Sequence, residues 1–204
     1  RSTLSPSSAA SDVYKRQVVV GGDGDLPQRV QQLFAESVTL RVYRSDDLVG
    51  VELCAALKNV MALAAGMCDG LGFGDNTKSA LLARGLVEMA RLGVKMGAQL
   101  PTFFGLAGVG DLMTTSFSRY GRNRRVGEEI GRGRKLEEVL SAMHQVAEGV
   151  WTVVGAVELA QRFSVEMPIT QKVYEVLYGG KKPSEAVLEL MRRPLKAEWE
   201  GLLA

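Results

Sequence analysis

From Val51 to Cys68 the chain reads VELCAALKNVMALAAGMC, and only Glu52, Lys58 and Asn59 are polar. A helix apolar on nearly all sides belongs inside a protein, so this stretch predicts a central buried helix around which the rest must pack. Lysine is almost never fully buried without compensation. Lys58 therefore either snorkels its ammonium to the surface along an apolar stem or faces a cleft. In a cleft, desolvation would pull its pKa down and suit it to passing a proton. Gly66, Asp69-Gly70, Gly72, Gly74 and Asp75-Asn76 follow within a few residues. Read as a glycine- and acid-rich loop, they favour a site over plain core.

The segment 56–76, ALKNVMALAAGMCDGLGFGDN, resembles the signature of the bacterial-type NAD(P)-dependent glycerol-3-phosphate dehydrogenases. It keeps the Lys-Asn pair, the Asp-Gly and the closing Gly-x-Asn at the family's spacing; Ala55 stands where the family usually has glycine. The resemblance implies that Lys58 is the proton-transfer residue, with Asn59 beside it in the substrate site. It extends over about residues 18–193 and includes the connection SDDLVGVEL and the C-terminal VEMPIT and VLYGGKKPSEA.

The 204 residues include 46% hydrophobic side chains, enough for a core in one domain or two small ones. Lys+Arg 25 against Asp+Glu 23 argues against a general polyanion binder. Cys54 and Cys68 are 14 residues apart in the apolar helix, about 21 Å at 1.5 Å per residue, so they cannot bridge within it. Buried free thiols suit a reducing, cytoplasmic setting. A single histidine, His144, leaves little for zinc, and no metal is expected. No apolar run of about 18 residues lacks a charge, so no membrane span is expected.

Residues 1–17, RSTLSPSSAASDVYKRQ, are serine-rich without hydrophobic period and are set aside as disordered; SDVYKRQ resembles a translated sequencing adapter. On that reading the natural N-terminus is missing. Val18-Val19-Val20, a helix over 26–36 and a strand over 38–43 then predict a βαβ unit. GGDGDLP is not a dinucleotide turn, because Pro27 occupies the third glycine's place. Beyond Gly50 the pattern is helical: 77–96 with Asn76 as cap, 136–144, 152–163, a helix from Met167-Pro168-Ile169 to Gly179, and 184–193.

GLAGVGD, 105–111, reads as a tight turn that presents Asp111, or as a cap for the next turn. Arg119, Arg122, Arg124, Arg125 and Arg132 crowd a segment that becomes helical near Asn123. Cations at a helix N-terminus oppose its dipole unless an anion sits there, which points to a phosphate seat. A nucleic-acid patch is disfavoured by the sparse aromatics and a net charge of +2. The family resemblance adds roles: Asp111 in the substrate site, and Gly121 (by its amide), Arg122 and Asn123 on the substrate phosphate. Arg122, Val146 and Glu148 would be cofactor contacts.

The expected fold is mainly α: the helical C-terminal substrate domain of a 6-phosphogluconate-dehydrogenase-like two-domain enzyme, residues 46–204. The last βαβ of a Rossmann domain, residues 18–45, would precede it. The resemblance implies NAD or NADP as cofactor and interconversion of sn-glycerol 3-phosphate and dihydroxyacetone phosphate in the cytoplasm, supplying phospholipid synthesis. A homodimer is left open. Without the glycine-rich turn, the 204 residues alone are expected to be inactive and to expose a sheet edge. The rivals are another two-domain hydroxy-acid dehydrogenase, whose substrate carboxylate an arginine would hold in the same way, and a non-catalytic helical interaction domain.

Overall fold

The computed structural model describes residues 16–143, 145–195, 197, 198 and 202. The expectations for residues 1–15 and for His144 lie outside the described residues. The chain begins with β1 (Arg16–Gly21), α1 (Leu26–Leu33) and β2 (Leu40–Ser45), and β1 and β2 pair in parallel from Arg16 opposite Leu40 to Gly21 opposite Ser45. A parallel pair needs a crossover, and α1 supplies it. Arg16 and Gln17, set aside with the serine-rich segment, are ladder residues: the Arg16 N–H donates to the Thr39 carbonyl at 2.7 Å. Ladder bonds use backbone groups, which composition does not report. The helix stops at Leu33 instead of residue 36, and the second strand starts at Leu40 instead of Val38. Between them the Ser37 N–H turns back to the Phe34 carbonyl, and the Leu40 N–H donates to the Ser37 hydroxyl.

Nine helices follow among the described residues: α2 (Leu48–Gly70), α3 (Asp75–Lys95), α4 (Leu100–Phe104), α5 (Asp111–Phe117), α6 (Arg122–Gly131), α7 (Leu136–Ser141), α8 (Gly149–Arg162), α9 (Pro168–Tyr178) and α10 (Pro183–Met191). One wide π turn, Leu106–Gly110, joins α4 to α5. α2 is the predicted buried helix, and α3, α5, α6 and α8 pack around it. By length and hydropathy alone α2 would pass for a membrane span, which a search for charge-free runs does not flag; here it is the core helix of the bundle. Its start is fastened by Asp47, buried, whose carboxylate accepts from the Gly50 N–H (2.9 Å), the Gln99 N–H (2.8 Å) and the Thr102 hydroxyl (2.5 Å). That cap joins α2 to α4.

Gly66 and Gly70, read from sequence as part of a loop, lie inside α2 and face Gly127 and Gly131 of α6. A Cβ on Gly66 would stand 1.9 Å from the Arg124 carbonyl oxygen, and one on Gly127 would stand 2.0 Å from that of Leu63. Two glycines four apart on each helix let the backbones touch, the same small-residue device seen in membrane helix pairs. The crossing is parallel. Leu63 meets Gly127, Met67 meets Gly131, and Asn59 meets Asn123 at the same separation of 64 in sequence. The glycines therefore set a register that brings the N-terminus of α6 to the Lys58-Asn59 turn of α2. Elsewhere α3 starts at Asp75, capped by the backbone of Gly74 without a side-chain bond, so Asn76 is not its cap.

Candidate active site

Lys58 lies midway along α2, and its Nζ donates to Asp111 Oδ2. Asp111 is the first residue of α5, and its Oδ1 also lies 3.4 Å from the Thr115 hydroxyl, one turn on. The tight turn expected for GLAGVGD is the π turn, whose widened spiral aims Asp111 at α2. Gly108 permits it, since a Cβ there would stand 2.0 Å from the Phe103 carbonyl oxygen. The Lys58 side chain is 19% exposed and that of Asp111 40%. The ammonium is thus neither alone in an apolar wall nor snorkelled into bulk water, but ion-paired and partly exposed. One turn before it, Cys54 is buried; desolvation, then Asp47 and Asp111, push its thiol up to about 12, so it is no nucleophile.

The next residue ties three elements together. Asn123 Nδ2 donates to Asn59 Oδ1 at 2.9 Å, and Asn123 Oδ1 accepts from the Gly149 N–H at the start of α8, also at 2.9 Å. Asn59 in turn donates to the Ala55 carbonyl at 3.2 Å. The Asn123 side chain is therefore a strut, in a residue only 4% exposed as a whole. Gly149 must lack a side chain, because a Cβ would stand 2.6 Å from the Asn59 carbonyl oxygen.

Gly121 differs from the expectation. Its N–H already donates to the Ser118 carbonyl at 3.0 Å, and a Cβ would stand 2.9 Å from the Thr115 carbonyl oxygen, so its part is to let the chain turn closely. Arg122 pairs with Glu148 at 3.0 Å, both half-exposed, and Val146 is exposed on the loop leading to Glu148. The expected arginine crowd divides. Arg124 turns inward to Asp69 at 2.7 Å, and Arg132 pairs with Glu128 and Glu129. Arg119 lies over the Tyr120 ring, and Arg125 is exposed. Toward an anion the site thus offers the half-exposed Arg122 guanidinium at the N-terminus of α6, whose first-turn N–H groups have no partner within the helix. Among the described residues no three metal-ligating side chains gather. Sequence reasoning missed Thr115 and Gly149. The i, i+4 spacing from Asp111 could have found the first; nothing local marks the second.

Residues 47–188 match the family described as the NAD-dependent glycerol-3-phosphate dehydrogenase C-terminus. A Geobacter protein (strain M21) named glycerol-3-phosphate dehydrogenase, NAD(P)+, is 58% identical over 84% of this chain and 51% of its own length. One from Geobacter sulfurreducens is 52% identical over 97% of this chain and 60% of its own length. The chain spans about half the length of the curated relatives it matches. The crystal structure of glycerol-3-phosphate dehydrogenase from Coxiella burnetii superposes with a TM-score of 0.83 at 38% identity, covering 88% of this chain and 55% of that one. By sequence and by fold, the chain belongs to the NAD-dependent glycerol-3-phosphate dehydrogenase family.

Proposed function

We propose that residues 46–204 are the substrate half of an enzyme that interconverts sn-glycerol 3-phosphate and dihydroxyacetone phosphate, with residues 18–45 belonging to its nucleotide-binding half. The observation that carries the reading is the Lys58–Asp111 pair lying beside the α6 N-terminus, which Asn123 ties to Asn59. Lys58 takes the proton of the secondary hydroxyl in oxidation and returns it to the carbonyl oxygen in reduction. Asp111 holds the lysine and the substrate hydroxyls. Arg122, with the N–H groups of Asn123 and its neighbours, seats the phosphate, so that remote binding energy orients the reacting carbon.

Toward a dinucleotide this chain offers the half-exposed Arg122–Glu148 pair and the exposed Val146. These surfaces fit a contact role; the turn before α1, with Pro27, does not fit a pyrophosphate. NAD or NADP supplies the hydride acceptor or donor when bound. The reaction would run in the cytoplasm, and the glycerol 3-phosphate it forms would feed phospholipid synthesis.

The test is a full-length version assayed with both substrates in both directions. Lys58→Ala is expected to lower kcat by about 10²–10⁴. Turnover within tenfold of the parent would refute the role of Lys58.

A further inference from the structure

Far from Lys58, Asp69, Lys78 and Arg124 meet at one junction largely withdrawn from water. Asp69 lies in the last turn of α2, about 16 Å along the helix from Lys58 at 1.5 Å per residue. Its Oδ1 accepts from Lys78 Nζ at 2.7 Å, in the first turn of α3. Its Oδ2 lies 2.7 Å from Arg124 Nε, in the first turn of α6, and the same guanidinium lies 3.3 Å from Glu128 one turn on. That second contact is bent away from hydrogen-bond geometry and holds by charge. Each of the three is on the wrong end of its own helix. A carboxylate opposes the dipole at a C-terminus, and cations oppose it at an N-terminus. Ion pairs taken out of water contribute little net stability on top of that. Such an arrangement makes sense if its task is geometric.

The geometry leads to the site along two arms. Lys78 also lies over the Phe117 ring, 4.6 Å from its centroid, and Phe117 ends α5, the helix that begins with Asp111. Arg124 is two residues from Arg122 in α6. One carboxylate on the Lys58 helix thus grips both helices that bring partners to Lys58.

We propose that Asp69 is a positioning residue, which sets α5 through Lys78 and Phe117 and sets α6 through Arg124, so that Asp111 and Arg122 meet the substrate at fixed distances from Lys58. The proposal rests on the catalytic reading above for its kinetic consequences. The two arms act on different parameters. The Lys78 arm governs the Asp111–Lys58 alignment and hence the proton step; the Arg124 arm governs the phosphate seat and hence substrate binding.

The experiment uses the full-length enzyme with single-arm variants, each of which leaves Asp69 one ion pair. Lys78→Met is expected to lower kcat about tenfold with KM for glycerol 3-phosphate within twofold, since small misplacements far from the chemistry cost rate. Lys78→Arg should restore kcat. Arg124→Met is expected to raise KM about tenfold with kcat within twofold. Amide exchange on the unliganded protein is read in parallel. Both variants should exchange faster, Lys78→Met over 111–117 and Arg124→Met over 122–126. Exchange unchanged in both segments overturns the proposal whatever the enzyme turns over. A drop in kcat that merely follows the folded fraction, with no kcat–KM split, overturns it too. A parent enzyme inactive on glycerol 3-phosphate refutes the catalytic reading, while localised exchange would still support the junction.

Discussion

Twelve of the 23 residues of α2 are buried, whereas in the strand–helix–strand piece Leu33 is 80% exposed and Val38 87%. Both regions were predicted from apolar spacing, yet only one encloses its apolar side chains. From Val60 to Cys68 every residue of the helix is buried, and two neighbours approach it to backbone contact. The parallel pair carries α1 on one face, and parallel strands bury their apolar residues only when both faces are covered. An apolar pattern reports a demand for partners. Whether the demand is met depends on what else the chain brings.

The contrast can be broken most forcefully at the helix crossing. Gly66→Ala puts a Cβ where a backbone carbonyl oxygen stands and must push α2 and α6 apart. The expected loss exceeds the usual overpacking cost of about 1–3 kcal/mol and shows as a large fall in the urea midpoint. A folded variant of parental stability would mean that the crossing tolerates a wider separation.

Next comes Glu88, buried in α3, whose carboxylate accepts from the Ile169 N–H (2.7 Å), the Thr170 N–H (3.1 Å) and the Thr170 hydroxyl (3.2 Å) at the start of α9. Burial raises its pKa from 4.5 to about 7 against those bonds. Between these values the folded state holds a proton that the unfolded chain has released. Its contribution is therefore fully present below pH 4.5 and lost as pH rises through about 7. At about 1.4 kcal/mol per unit the change is roughly 3 kcal/mol. Urea unfolding at pH 5 and pH 8 measures it, and Glu88→Gln should flatten the difference. The charged side chains of the βαβ piece are exposed instead.

Smaller again is Asn123→Ala, which leaves the Gly149 N–H and Asn59 Oδ1 without their partner. It should cost about 1–3 kcal/mol for the groups left unsatisfied. A lowered melting temperature checks it. At the bottom, Leu33→Ser and Val38→Ser should change stability by no more than about 0.5 kcal/mol, as for exposed positions generally. They should reduce aggregation, measured by light scattering. A large loss of stability from either would show that these side chains are covered after all.

Much of the bundle was readable in the residues. The 3.6-residue period located the principal helices within a few residues, because burying one face of a helix imposes that period whatever surrounds it. The cost of an ammonium inside an apolar helix made Lys58 a candidate, the family resemblance of GLAGVGD placed Asp111 in the same site, and the two side chains pair. What local sequence could not supply is which polar groups face outward to a ligand and which face inward to one another. Asn123, Gly121 and Arg124 are the kind of residues a phosphate seat needs. Yet Asn123 braces α2 and α8, Gly121 makes room for a turn, and Arg124 neutralises Asp69. Those assignments follow from the register of α2 on α6, which depends on two glycine pairs 61 residues apart meeting face to face. Periodicity is a property of each segment alone. Register is a property of two surfaces in contact, and it exists only once the chain has brought them together.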